Sequence, residues 1–282
     1  MESWLLNATL GMIAVGLTSV LYKVRAARNI DKYLYNTYQN IFSLFFAVFF
    51  LFSWIKFDTT TILYAFVWGA IYTLFTLMQM HMLYKRDTSE VFPFTSLASN
   101  IIVVIGGIII FHDHFTVFQV LAVLLAVVFF IIYNHKDKLH FTRDVIPSLI
   151  LIALLSTFNK FVQKIAASHV EPYNFIFWEM FFMFITSFFI WLYNRREKIS
   201  LSLPSAELTL WAVIMGLVSF GSTYFIVKAL TTGPISLVYM ILGSYTFLTS
   251  IFAAVLFKEK ITKKSLVAVL VSFVIVLLIK LG

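Results

Sequence analysis

Of the charged residues inside long apolar runs of this 282-residue sequence, Glu90, Lys160, Glu179 and Lys228 could carry chemistry. A charge at the centre of a bilayer costs about 2.5–3.5 kcal/mol even on the gentlest insertion scales, so one that is kept faces a cavity or a partner. Lys160 lies nine residues before His169, and Glu179 seven after Pro172. At a rise of about 1.5 Å per residue, both sit roughly 10–14 Å below the same membrane face. Two readings follow for this pair. It is either a structural ion pair tying the sixth helix to the seventh, or Glu179 is a carboxylate that carries a coupling proton or holds substrate. Glu90 and Lys228 lie within a turn or two of a predicted helix end and either line a cavity or reach for the interface. Pro93, three residues after Glu90, bends that helix and frees a carbonyl. Lys228 follows Tyr224 by four, which puts both on one face. Lys164 is expected to snorkel.

Uncharged polar groups supply a second signal. Tyr72 and Gln79 are spaced by seven, Ser96, Ser99 and Asn100 fall at i, i+3, i+4, and further runs offer Gln39 with Asn40, Asn159 with Gln163, and Tyr239 with Ser244 and Tyr245. Small hydroxyls such as Ser96, Ser99 and Ser244 commonly bridge packed helices for about 0.6 kcal/mol each. Larger groups suit a cavity in which a few hydrogen-bonding side chains stand among aromatic walls. The candidate substrate contacts are therefore Gln39, Gln79, Glu90, Asn100, Tyr224, Lys228, Tyr239 and Tyr245, with Lys160 and Glu179 as the coupling or ion-pair residues. The 32 Phe residues do not by themselves argue for an aromatic substrate, because runs such as Phe45-Phe46 and Phe49-Phe50 suit bilayer or packing surface.

Several chemistries drop out. There is no cysteine, hence no disulfide, thiolate nucleophile or iron–sulfur cluster. The six His are scattered with no metal-ligand spacing, and His112-Asp113-His114 reads as a solvated turn. No nucleophile–base triad or pair of catalytic carboxylates is recognisable, so neither an enzyme nor a cofactor is expected.

Holding these residues in place falls to helices. With 61% hydrophobic and only 12% charged residues, the chain lacks the charge to cover itself in water. Apolar runs fall near 3–22, 34–55, 62–84, 89–111, 117–133, 145–166, 173–193, 207–230, 235–257 and 265–280. Each is about the length of a spanning helix and none alternates with period two, which excludes a barrel. The expectation is an all-α integral membrane protein with ten transmembrane helices. The first run has no basic residues before it and is not read as a cleavable signal. The connections after odd-numbered helices hold sixteen Lys and Arg, from Lys23 to Lys264, against Lys56 and Lys280 on the other side. Positive loops stay in the cytoplasm, so a multi-pass protein of the cytoplasmic membrane with both termini outside is expected, and the net charge of +8 reports topology rather than nucleic-acid binding.

The sequence also repeats. A shift of 146 places Phe111 to Thr116 on Phe257 to Thr262, and a shift of 140 places Tyr35 to Phe49 on Phe175 to Phe189, so that Gln39 meets Glu179. Each half, 1–139 and 140–282, has five helices. An odd number inverts the second copy, and inverted repeats enclose a substrate site near the midplane that opens alternately to each side.

With Phe257 to Thr262 as an F-x-E-x-[IL]-T turn before the last helix, and the Ala229 to Ser236 run A-L-T-T-G-P-I-S before it, the chain resembles the EamA type of the drug/metabolite transporter superfamily over nearly its whole length. The resemblance implies a ten-helix secondary carrier of amino acids or similar metabolites, with a cavity lined mainly by helices 3, 4, 8 and 9. The sequence departs from that pattern in having Asp113 where the turn has Glu, and in a charge bias that sets the termini outside where many relatives resemble the reverse. The expected function is alternating-access transport of a small polar or amphipathic metabolite, proton-coupled or by exchange. Translocation of a lipid intermediate and a non-transporting membrane scaffold are the alternatives. The expected partners are a small-molecule substrate and the bilayer, without nucleic acid.

Overall fold

The computed structural model describes residues 3–27, 31–82, 88–135, 146–194, 206–245, 248–249, 251–252, 255 and 263–282. The described elements are α1 (Ser3–Ala27), α2 (Lys32–Leu51) with a 3-10 turn at Phe52–Trp54, α3 (Thr59–Met82), α4 (Thr88–Ile110), α5 (Val117–His135), α6 (Ile146–His169), α7 (Pro172–Asn194), α8 (Ala206–Thr232), α9 (Ile235–Gly243) and α10 (Lys263–Leu281). No strand occurs among the described residues.

Helix starts follow from polar residues that satisfy the free N–H groups of a first turn. Asp31 accepts from the backbone N–H of Tyr33 and Leu34 at 2.8 and 2.9 Å. Asp58 accepts from the N–H of Thr61 at 2.9 Å and from its hydroxyl. Thr116 and Gln119 cap α5 reciprocally, Gln119 N–H donating to Thr116 Oγ1 and Thr116 N–H to Gln119 Oε1. Pro172 occupies the first position of α7, where its missing N–H costs nothing.

Six of these helices are long and apolar enough to cross a membrane, and Ala98–Ile110 and Val117–Val128 are shorter apolar helices. The protein is a multi-pass membrane protein, its backbone polar groups satisfied within helices as hydrocarbon requires. Phe45, Phe49, Phe50 and Phe189 point outward, as a lipid-facing surface should.

Packing pairs the two halves. α1 lies on α8 and α6 on α3; α2 lies on α8 and α7 on α3; α4 lies on α6 and α9 on α1; α2 meets α7, α4 meets α9 and α5 meets α10. Two of these seams rest on glycine. A Cβ on Gly69 of α3 would stand 2.9–3.1 Å from Phe182 Cβ, Met183 N and Glu179 O on α7. One on Gly216 of α8 would stand 2.6–3.0 Å from Phe42 Cβ, Ser43 N and Gln39 O on α2. The three partners of Gly216 precede those of Gly69 by 140 residues, the same shift that aligns α2 with α7 in the sequence. Side chains add polar ties across the α2–α7 seam: Thr37 Oγ1 donates to Ser187 O at 3.1 Å and Asn40 Nδ2 to Met183 O at 3.3 Å.

One span differs from its expectation. The run 235–257 reads as a single helix, yet α9 stops at Gly243, where Ser244 N–H turns back to Ile241 O at 3.0 Å before helical geometry resumes at Tyr245. At the break, the Asn100 side-chain amide of α4 fills the space that a Cβ on Gly243 would need, so that position takes glycine.

Candidate functional site

A cavity of about 150 Å³ lies where three helices of the first half meet three of the second. From α1 come Val15, Thr18, Ser19 and Tyr22; from α6 come Ser156, Asn159, Lys160 and Gln163. Both sets fall at i, i+3, i+4, i+7, the spacing of one helix face. α3 contributes Trp68, Tyr72, Phe75 and Gln79, and α8 contributes Ser222, Thr223 and Ile226. Asn100 of α4, with Tyr239, Leu242 and Gly243 of α9 and Tyr245 beyond the break, complete the described lining.

Lys160 is the one charged side chain among the described lining residues. Its Nζ donates to Ser99 Oγ at 2.8 Å and to Asn100 Oδ1 at 2.6 Å, and lies 5.1 Å from the centre of the Tyr239 ring. Ser99 is held in turn by Ser156 and Thr157, each at 3.2 Å. Tyr239 donates its hydroxyl to Gln163 Oε1 at 2.8 Å. On α3, Trp68 and Tyr72 stack with centroids 4.6 Å apart. With its amide turned so that oxygen and nitrogen both find partners, Asn159 accepts from Trp68 Nε1 at 3.2 Å and donates to Trp68 O at 3.1 Å. The chamber thus has a basic, hydrogen-bonded corner and an aromatic wall.

Of the sequence candidates, Gln79, Asn100, Tyr239, Tyr245 and Lys160 border this cavity. Gln39 does not: it is wholly buried where α2 packs on Gly216 of α8, and its Oε1 accepts no hydrogen bond. Tyr224 and Lys228 stand elsewhere, with Lys228 Nζ donating to Tyr173 Oη at 3.1 Å and Tyr173 stacked on Tyr224. The shared face of Tyr224 and Lys228 therefore meets the start of α7, not the cavity. Glu90 lies in α4, but its side chain is outside the described residues.

The Lys160–Glu179 ion pair is not made. Lys160 is satisfied by neutral groups on α4, while Glu179 is fully buried on the face of α7 that meets α3, both carboxylate oxygens without a hydrogen-bond partner. The similar depth expected from the sequence did not make them partners. Lys164 departs from its expectation as well. Instead of reaching for the interface, its Nζ donates to Leu230 O and Gly233 O, each at 2.9 Å, and caps the carbonyl end of α8. Asp113 is not simply solvated: its Oδ2 accepts from Ser236 N–H at 2.9 Å and caps α9, whose own N-cap position, Pro234, offers no side-chain acceptor. The α1 face and Ser156 escaped the sequence reading. Its one available signal was the spacing 15, 18, 19, 22, repeated 141 residues further on at 156, 159, 160, 163. The cavity consequently adds α1 and α6 to the walls that the family resemblance implied.

Comparison with known proteins bears on this chamber. Residues 145–281 match the EamA-like transporter family. One solved crystal structure is similar with a TM-score of 0.74 over 99% of this chain and 95% of its own, at 10% sequence identity, a likeness that shows a shared fold. No curated relative matches the sequence.

Proposed function

We propose, from the match of residues 145–281 to the EamA-like transporter family, that the protein is a secondary transporter moving a small amphipathic metabolite across the cytoplasmic membrane by alternating access. The observation that carries this reading is the cavity, walled by α1, α3 and α4 of one half and α6, α8 and α9 of the other. A solute held there touches both halves, so a rocking motion of one half against the other transfers access from one side to the other. Residues 1–139 and 140–282 are the two five-helix repeats, inverted with respect to each other. Support comes from the matched helix pairs, from the equivalent glycine seams at Gly69 and Gly216, and from the shared spacing of the α1 and α6 faces. Basic odd-numbered connections set both termini outside.

Coupling is assigned to Glu179. A carboxylate in hydrocarbon surroundings without a hydrogen-bond partner is tolerated poorly as an anion. At the equivalent seam the repeat places Gln39, a neutral side chain of nearly the same shape, also with an unpartnered oxygen. The seam accommodates Glu179 in its protonated form, and the proton leaves when the α3–α7 contact opens to water. Proteoliposomes test both parts. Counterflow of a labelled metabolite from a panel of small amphipathic solutes is expected in wild type, and its absence across the panel would contradict the carrier reading. Glu179→Gln is expected to abolish uptake driven by a pH gradient while sparing counterflow; a variant that still accumulates substrate against its gradient removes Glu179 from coupling.

A further inference from the structure

We propose that the cavity selects a monoanionic carboxylate on an uncharged ring or short apolar body, with the carboxylate bound at the Lys160 corner; the proposal names the substrate of the carrier site above and rests on that reading. Lys160 brings a buried amine to the chamber, and its partners there, Ser99 and Asn100, are neutral. Protonated opposite a bound anion, that amine has three donors. Two are used on α4, which leaves the third, and the whole of the charge, for an occupant of the cavity. A buried cation gains most from an anion that also accepts a hydrogen bond from it.

The rest of the lining narrows the class. Among the described lining residues no carboxylate is available to meet a substrate ammonium, and Glu179 lies outside the lining. The Tyr239 ring, a natural seat for an organic cation, already has Lys160 over its face at 5.1 Å. An amine without a carboxylate would set its positive group in a lining whose one basic side chain, among the described residues, is Lys160. Part of the lining is aromatic, with Trp68 and Tyr72 stacked on α3, and suits an apolar ring. An apolar cavity of about 150 Å³ accepts a single benzene ring, and this chamber has that volume.

The test uses three probes that share one ring and differ in charge: benzoate, benzamide and benzylamine. Binding to the purified full-length protein is measured by calorimetry at pH 7.5. Benzoate is expected to bind at least about tenfold tighter than benzamide, and benzylamine weakest of the three. Lys160→Gln is expected to erase the preference for benzoate over benzamide, and Lys160→Arg to keep it. Benzamide or benzylamine binding as tightly as benzoate in wild type overturns the proposal, as does an unchanged preference in Lys160→Gln or no binding of any probe. If Lys160→Gln fails to fold by thermal unfolding, the wild-type ranking and Lys160→Arg decide alone. Counterflow with the broader solute panel is run in parallel, so that loss of the anion preference with counterflow intact removes this assignment and leaves the carrier standing.

Discussion

On α1 the residues facing the cavity are Val15, Thr18, Ser19 and Tyr22; on α6, 141 residues further on, they are Ser156, Asn159, Lys160 and Gln163. The two faces share a spacing and enclose one chamber from opposite halves, yet their hydrogen bonding runs in different directions. Thr18 and Ser19 turn their hydroxyls back to their own helix, onto Ala14 O and Val15 O at 2.9 Å each. Lys160, Gln163 and Asn159 bond instead to neighbouring helices, at Ser99 and Asn100, at Tyr239 and at Trp68. Spacing is common to both faces, and the one basic side chain among the described lining residues lies on the second.

The comparison can be broken most severely through the glycines that let the halves close. Gly69→Val and Gly216→Val each force a branched side chain against backbone of the facing helix. Each is expected to lose about 1–3 kcal/mol of stability, and equivalent seams predict losses of similar size, read as thermal unfolding in detergent. One variant intact and the other unfolded would mean that the two contacts are not equivalent.

A sharper test sets the two faces side by side. Lys160→Gln is expected to raise the KM for an anionic substrate about tenfold or more, since it removes a charge-assisted contact. Ser19→Ala, at the matching position, is expected to change KM less than about twofold, because its hydroxyl is spent on Val15 O. Lys164→Met, one turn from Lys160, removes a helix cap and is expected to lower stability by about 0.3–1 kcal/mol with KM unchanged. A rise in KM for Lys164→Met would show that the two lysines are not divided between cap and cavity.

The smallest effect lies outside the membrane. Hydrogen bonds from the Thr61 hydroxyl and N–H hold the Asp58 carboxyl below the usual carboxylate range. A carboxyl whose folded pKa is depressed contributes stability above its unfolded pKa of about 3.9, and that contribution is lost as pH falls through the folded value. Wild type should therefore show a slight loss of thermal stability on acidification below about pH 4 that Asp58→Asn lacks; identical pH profiles for the two would contradict the cap.

Much of this architecture was legible in the residues, and the reason is length. An apolar run of about 20 residues has one inexpensive structure in a bilayer, so α2 to α8 lie within a few residues of their expected spans. The stripes on α3, α4 and α9 placed Gln79, Asn100 and Tyr239 on polar faces because 3.6 residues per turn fixes which side chains share a side. Neighbours were not legible. Lys160 and Glu179, expected at one depth, do not bond to each other, Gln39 and Tyr224 face helices rather than the cavity, and the Asp113 carboxylate crosses 123 residues of sequence to cap α9. Such pairings depend on helix rotation and on close approaches such as Asn100 against Gly243, which periodicity does not encode.

Alternating access as proposed requires that one chamber between the halves open to each side in turn. Because the chain has no cysteine, Ser222→Cys on the α8 wall gives a single reactive thiol in the cavity. Oriented vesicles are treated with a membrane-impermeant thiol reagent from either side, with and without substrate. Labelling from both sides, with substrate shifting the balance between them, is the predicted result. A thiol that reacts from one side only under every condition, while counterflow proceeds, would contradict alternating access through this cavity.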